Sequence, residues 1–160
     1  MPTVDETITD VLRREDDEET NDPLDHGGRT KYGIAEASNP EAWADDKVTE
    51  AEAREIYRRK YVEGPGFLRV PDEHLRAQLV DFGVNSGPMI AIMKLQEIVG
   101  ADVDGVIGPQ TLGLLVLMPV VIVNTELVKS RVRMIGRIVT KNPSQLKWLN
   151  GWINRALEFL

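Results

Sequence analysis

The chain has 160 residues, 42% of them hydrophobic, with 19 Lys or Arg against 26 Asp or Glu and a formal charge of −7. This size suits one domain or two small lobes sharing a core, and the lack of cysteine excludes disulfides and a thiolate metal site. Residues 1–60 carry 17 acids against 9 bases, a balance that argues against nucleic acid, whose phosphates need a basic surface, and against attraction to anionic membranes.

Met1 to Asp10 lacks the basic start and apolar stretch of a signal peptide. Thr3 with Glu6 forms a capping-box pattern, and Val4, Ile8, Val11 and Leu12 recur at helical spacing, so a first helix is expected to run to about Arg14. Glu15 then falls at its C-terminal end, where the helix dipole disfavours added negative charge. Residues 20–48 are dense in Pro, Gly, Asn and Asp, which predicts a loop with short turns or a small hairpin. Thr49 and Glu52 repeat the capping box and open a second helix through Tyr61.

After Gly64-Pro65-Gly66, the segment from Pro71 to Asn85 carries Leu75, Leu79 and Phe82 and is the expected central buried helix, with Pro71 at its start. Pro88 restarts a helix through Val99, with Ile92, Leu95, Gln96 and Val99 spaced for packing and Gly100 as C-cap. Residues 101–108 read as a turn, Pro109 opens a further helix, and Pro119 ends or kinks it. Residues 120–140 are expected to be helical, with Lys129, Arg131, Arg133 and Arg137 on the exposed side. Asn142-Pro143 caps a last helix anchored by Leu146, Leu149, Trp152 and Ile153. The longest apolar run, Leu112 to Val123, is too short for a membrane span of roughly 20 residues and reads as core, so no stable membrane insertion is expected. The fold is mainly α.

The chemistry concentrates between Glu15 and Ile34, where an acid cluster, a double glycine and Thr30-Lys31-Tyr32-Gly33-Ile34 lie close together. Glu15, Asp25 and Thr30 are three groups able to manage protons and water across one loop. Glycoside cleavage needs such a set: one acid protonates the leaving oxygen, while a second polar group steadies the cation or activates water. Taken alone, the acidic block Glu15 to Glu19 reads as solvated surface, and Asp25 and Thr30 read as ordinary turn residues. Asp81 and Asn85, four apart on one helix face, either point into a cleft and bind sugar amides or hydroxyls, or form a buried polar pair holding helices together. Tyr32 either stacks on a sugar ring or plugs the core. His26 and His74 are too few and too separated for a metal site. Asp102, Asp104 and Gly105 lack the further oxygens of a calcium loop.

Glu15, Asn21-Asp22-Pro23, Asp25, Gly27-Gly28, Thr30 and Tyr32-Gly33-Ile34 resemble the N-terminal signature of glycoside hydrolase family 108, the phage and bacterial muramidases. The likeness continues through residues 49–53, the Tyr57 to Tyr61 helix and residues 81–87. It then runs through Leu95-Gln96, Asp104-Gly105, Gly108-Pro109 and Thr111, which resemble the peptidoglycan-binding segment of such proteins, to Gly151-Trp152 and Arg155. The resemblance implies a lysozyme-like helical fold with a catalytic part over residues 1–87 and a peptidoglycan-binding part over 88–160, packed as one unit.

The resemblance also implies Glu15 as the catalytic acid, although Asp16 and Asp17 stand where two glycines are usual. An alternative register puts Asp16 in that position; Glu15 is preferred because Glu reaches farther and Arg14-Glu15 fits the helix end. By analogy with phage lysozymes, Asp25 and Thr30 would handle the attacking water. The expected protein is a monomeric endolysin cleaving the β-1,4 bond between N-acetylmuramic acid and N-acetylglucosamine in peptidoglycan glycan strands, with no metal or organic cofactor. It would be made in the host cytoplasm and reach the wall through a separate pathway such as a holin. The rivals are a lytic transglycosylase on the same substrate and a non-catalytic wall-binding protein.

Overall fold

Helix α1 (Val4–Arg14) starts at a reciprocal capping box. The Glu6 amide donates to Thr3 Oγ1 at 3.2 Å and the Thr3 amide donates to the Glu6 carboxylate at 2.8 Å, which satisfies two donors a helix start leaves orphaned. Val4, Thr7, Ile8, Val11 and Leu12 form its buried stripe, and each fully buried aliphatic side chain contributes about 1.5–3 kcal/mol relative to exposure. Glu15 leaves the helix in an extended conformation while its amide still donates to Val11 O at 3.0 Å. The computed structural model describes residues 2–15, 19–21 and 28–160.

The expected hairpin is formed by β1 (Thr30–Lys31) and β2 (Ile34–Ala35), antiparallel, with Thr30 opposite Ala35 and Lys31 opposite Ile34. Its two-residue loop has φ 51° at Tyr32 and 71° at Gly33, the signature of a type I′ turn, whose twist matches that of the flanking strands. Arg29 fixes the hairpin base: its guanidinium donates to both Glu36 oxygens at 3.0 and 2.9 Å and to Asp46 at 2.9 Å, and lies 4.7 Å from the Trp43 ring.

Helix α2 (Glu50–Arg58) repeats the capping box with Thr49 and Glu52, then widens into a π-turn over Arg59–Glu63, so the regular helix stops short of the expected Tyr61. Helix α3 (Glu73–Ser86) is capped by Asp72, whose side chain accepts from the Leu75 amide at 2.8 Å. Pro71 therefore precedes the cap instead of opening the helix, because a carboxylate that satisfies a first-turn amide is the better start. Buried residues surround α3, as expected of a central helix, and they include Gln78, fully enclosed with neither amide atom partnered among the described residues. An unpaired buried amide costs about 1–3 kcal/mol. Gln78→Met, similar in shape and without that cost, is expected to raise the unfolding free energy by roughly 1 kcal/mol or more in denaturant melts.

Helix α4 (Pro88–Val99) ends at Gly100, φ 76°. The turn that follows is organised by buried Gln96: its Nε2 donates to Asp104 at 2.7 Å and Val106 O at 3.0 Å, and its Oε1 accepts from the Gly105 amide at 2.9 Å. Helix α5 (Pro109–Leu115) and helix α6 (Val120–Lys141) meet at 112° across Pro119. Among the described residues no single helix is long and apolar enough to cross a membrane.

Two expectations in this half are corrected. Arg131 is buried, at 3% exposure, because it lies on the stripe of Val123, Leu127 and Ile135 and finds a carboxylate there. The chain's end is a 3₁₀ turn, Pro143–Trp148, followed by α7 (Leu149–Leu157). Leu146 is 61% exposed, Trp152 and Ile153 are half-buried, and the residues that seat this end in the core are Ala156 and Phe159. One continuous cluster of buried apolar residues runs from Val4 to Phe159, with α3 packed against α1, α4 and α6. The architecture is mainly α and lysozyme-like, with the small hairpin after the first helix.

Candidate active site

The end of α1 and the tip of the hairpin converge on an open groove of about 600 Å³ lined by Thr9, Leu12, Arg13, Arg14, Glu15, Tyr32 and Glu50. Glu15 reaches it because the capping box sets where α1 starts and the buried stripe sets its rotation. Its carboxylate lies against Gly33: a methyl group built there would sit 3.0 Å from Glu15 Oε2 and 2.6 Å from the Tyr57 hydroxyl. Only a residue without Cβ admits both oxygens at that turn, and the positive φ favours glycine independently. Tyr57, on the buried face of α2, donates to the backbone oxygen of Tyr32 at 3.2 Å and stacks on Tyr61 with centroids 5.5 Å apart. Burial pushes the Tyr57 phenol above its ordinary range, the Glu15 charge adds to the rise, and Arg155 opposes it. Tyr57 therefore stays a neutral donor beside the carboxylate.

The groove unites two of the residues expected from the sequence, Glu15 and Tyr32. Tyr32 also packs on the core and carries Lys31 Nζ 5.4 Å from its ring centre, so it serves as both plug and wall. A bulky side chain at φ 51° is strained, and here it stands beside the groove. Thr30 lies in β1, its backbone paired with Thr20 at 2.8 and 2.9 Å, two residues before Tyr32 and not among the groove's described lining residues. Asp25 lies outside the described residues, as do His26 and the alternative acid Asp16.

Asp81 and Asn85 are not among the described lining residues of that groove, and the expectation that Asp81 points into a cleft is corrected. Asp81 is 3% exposed, accepting from Arg131 Nη2 at 2.6 Å and from Arg155 Nε at 2.7 Å. Asn85 Nδ2 donates to the Asp81 backbone oxygen at 3.1 Å. The four-residue spacing does bring the two together, but only Asp81 is buried, its carboxylate held in place by two cations from α6 and α7, while Asn85 is exposed. Glu50 was missed as a groove residue because its capping segment explains it locally; it is half of an ion pair with Arg54 at 3.3 Å. Among the described residues no group of acids and histidines is arranged to hold a metal ion.

Residues 8–87 match the model of the family described as glycosyl hydrolase 108, which covers half of the chain. The chain belongs to glycosyl hydrolase family 108. Residues 90–157 of this family 108 protein match a second model, described as a predicted peptidoglycan domain. Among solved structures it is similar to SagA of Brucella abortus, at 30% identity and TM-score 0.65 over 96% of this chain and 92% of that one. No curated protein matches it. The family 108 protein is a glycoside hydrolase acting on peptidoglycan.

The contacts at Gly33 lead to a direct expectation for the family 108 site. Gly33→Ala places a methyl group against two oxygens and an L-residue at positive φ, costing about 1–2 kcal/mol from the backbone alone. Displacing the acid by an ångström removes roughly 100-fold of activity. Wall turnover should therefore fall far more than the melting temperature suggests, as parallel activity and thermal scans of the variant will show.

Proposed function

We propose that this family 108 enzyme hydrolyses the β-1,4 bond between N-acetylmuramic acid and N-acetylglucosamine, with Glu15 as the general acid, and that it acts as a monomeric endolysin. The observation that carries this reading is the placement of the Glu15 carboxylate on the wall of an open groove, buttressed by Gly33 and the Tyr57 hydroxyl. A glycan strand laid in that groove meets one carboxyl able to give up a proton.

In the reaction, protonated Glu15 donates to the glycosidic oxygen as the bond to the anomeric carbon breaks. Positive charge then spreads over the ring, and water completes the hydrolysis. Asp25 and Thr30 are assigned to steadying that charge or positioning the water. The Thr20–Thr30 bridge supports this, since it ties both ends of the segment carrying Asp25 to the hairpin beside the groove. Tyr32 offers an aromatic face to a sugar ring. General acid catalysis of this kind runs on side chains and water, without a cofactor. The substrate lies outside the inner membrane, so the enzyme acts in the wall after passage through a separate release pathway, without inserting stably into the bilayer.

Mass spectrometry of digested peptidoglycan tests the reaction. Fragments ending in reducing muramic acid are expected. Fragments one water lighter, carrying an anhydro sugar, would instead assign a lytic transglycosylase, and walls that bind the protein but release nothing would assign a binding protein.

A further inference from the structure

A second concavity lies away from Glu15, where the end of α3 meets α6 and α7. It is a pit of about 110 Å³ lined by Phe82, Asn85, Ser86, Arg131, Met134, Ile135, Ile138 and Trp152. Its walls are apolar apart from Asn85, Ser86 and one guanidinium. Arg131 spends Nη2 on Asp81 at 2.6 Å, while its Nη1 is buried without a partner among the described residues.

The charges around it do not balance. Asp81 supplies one buried carboxylate, whereas Arg131 and Arg155 bring two guanidiniums. Glu158, the other acid that acts on Arg131, is half-exposed and shared with Arg14 at 3.4 Å. Burial is the largest single influence on the Arg131 guanidinium and works against its charge, with Arg155 on the same side and Asp81 opposing. A buried cation with a free donor is costly unless an anion meets it, and in a chain of net charge −7 this spot is locally positive. At roughly 30 Å³ per water the pit holds about three or four water-sized groups, comparable to a carboxylate bearing one methyl.

We infer that the pit binds a small alkyl carboxylate, the oxygens toward the Arg131 guanidinium and the methyl group against Ile135, Ile138 and Trp152. Two sources share that chemistry: the terminal alanyl carboxylate of a peptidoglycan stem peptide and a free small acid. The peptide source rests on the proposed wall substrate. It would let the seam between the two family-matched segments read stem peptides while Glu15 addresses the glycan.

The test follows the indole resonance of Trp152, assigned with Trp152→Phe, during NMR titration with N-acetyl-D-alanyl-D-alanine, its C-terminal amide, and acetate. Saturation by the dipeptide in the millimolar range is expected, with binding at least about ten-fold weaker for the amide, the loss of one charge-assisted hydrogen bond. Arg131→Met removes the donor but endangers the fold. Ile138→Phe fills the pit, leaves the Asp81 ion pairs in place, and is expected to weaken binding by a similar factor.

Acetate binding as tightly as the dipeptide would keep the carboxylate site and overturn the peptide source. An amide equal to the acid, or no saturable shift with either acid, would overturn the site itself and leave the pit to water. Binding is read without turnover and in the Glu15→Gln protein as well, so failure of the site and failure of the hydrolase reading give different results.

Discussion

Glu15→Gln is expected to lower wall hydrolysis by at least about 100-fold, the lower end of what a general acid contributes, while the melting temperature stays within a degree or two of wild type. The amide keeps the size of the carboxyl and so preserves packing against Gly33 and Tyr57, but it has no proton of suitable acidity for a leaving alkoxide. Because Glu15 is exposed to the groove, its replacement leaves no charge stranded in the core, and the fold has little reason to respond. Glu15→Asp should retain more activity than Glu15→Gln, since it keeps the acid and loses one methylene of reach. Turnover by Glu15→Gln equal to wild type in a turbidity assay would remove Glu15 from the chemistry.

Asp81→Asn should act in the opposite way, costing stability first. The Asp81 carboxylate is nearly enclosed and takes hydrogen bonds from Arg131 and Arg155, whose side chains are 4% and 16% exposed. Removing its charge leaves two cations facing each other in the seam of α3, α6 and α7, and breaking a buried pair on one side typically costs about 3–5 kcal/mol. That is a large part of the 5–15 kcal/mol usual for a domain, and roughly ten degrees in melting temperature for a chain of this size. Replacing all three side chains by apolar residues of similar volume is expected to recover much of the loss. A cost below about 1 kcal/mol in denaturant melts of Asp81→Asn would show that the ion triad does not hold the seam.

What could be read in the sequence was what is encoded locally. Both capping boxes, the Pro88 and Pro109 helix starts, the Gly100 C-cap and the placement of Glu15 at a helix end all follow from residues within one or two turns of each other. The error at Arg131 has a different cause, a partner distant along the chain. Arg131 falls on the four-residue stripe of Val123, Leu127 and Ile135, but an arginine is expected at the surface unless a partner is known, and its partner Asp81 lies 50 positions away. The stripe itself was the available signal.

The site shows the same division. Tyr57 stood out only as part of an expected helix, since nothing near it announces a hydroxyl that reaches Tyr32 from 25 positions off. Tyr32-Gly33 was legible as a turn, whereas its type I′ geometry, with a tyrosine at positive φ, depends on the strands it must join. Asp81 and Asn85 were correctly placed on one helix face, and it took the arrival of α6 and α7 to show that Asp81 is enclosed there while Asn85 stays exposed.

The proton assigned to Glu15 can be tested by changing what it is needed for. A general acid matters for a sugar leaving group, which departs as a poor alkoxide, and hardly at all for dinitrophenolate, which departs unaided. Rates of wild type and Glu15→Gln should be compared on peptidoglycan and on a dinitrophenyl muramyl glycoside. A large loss on the wall with little loss on the aryl glycoside is the predicted result; equal losses on both would contradict the assignment of Glu15 as the acid.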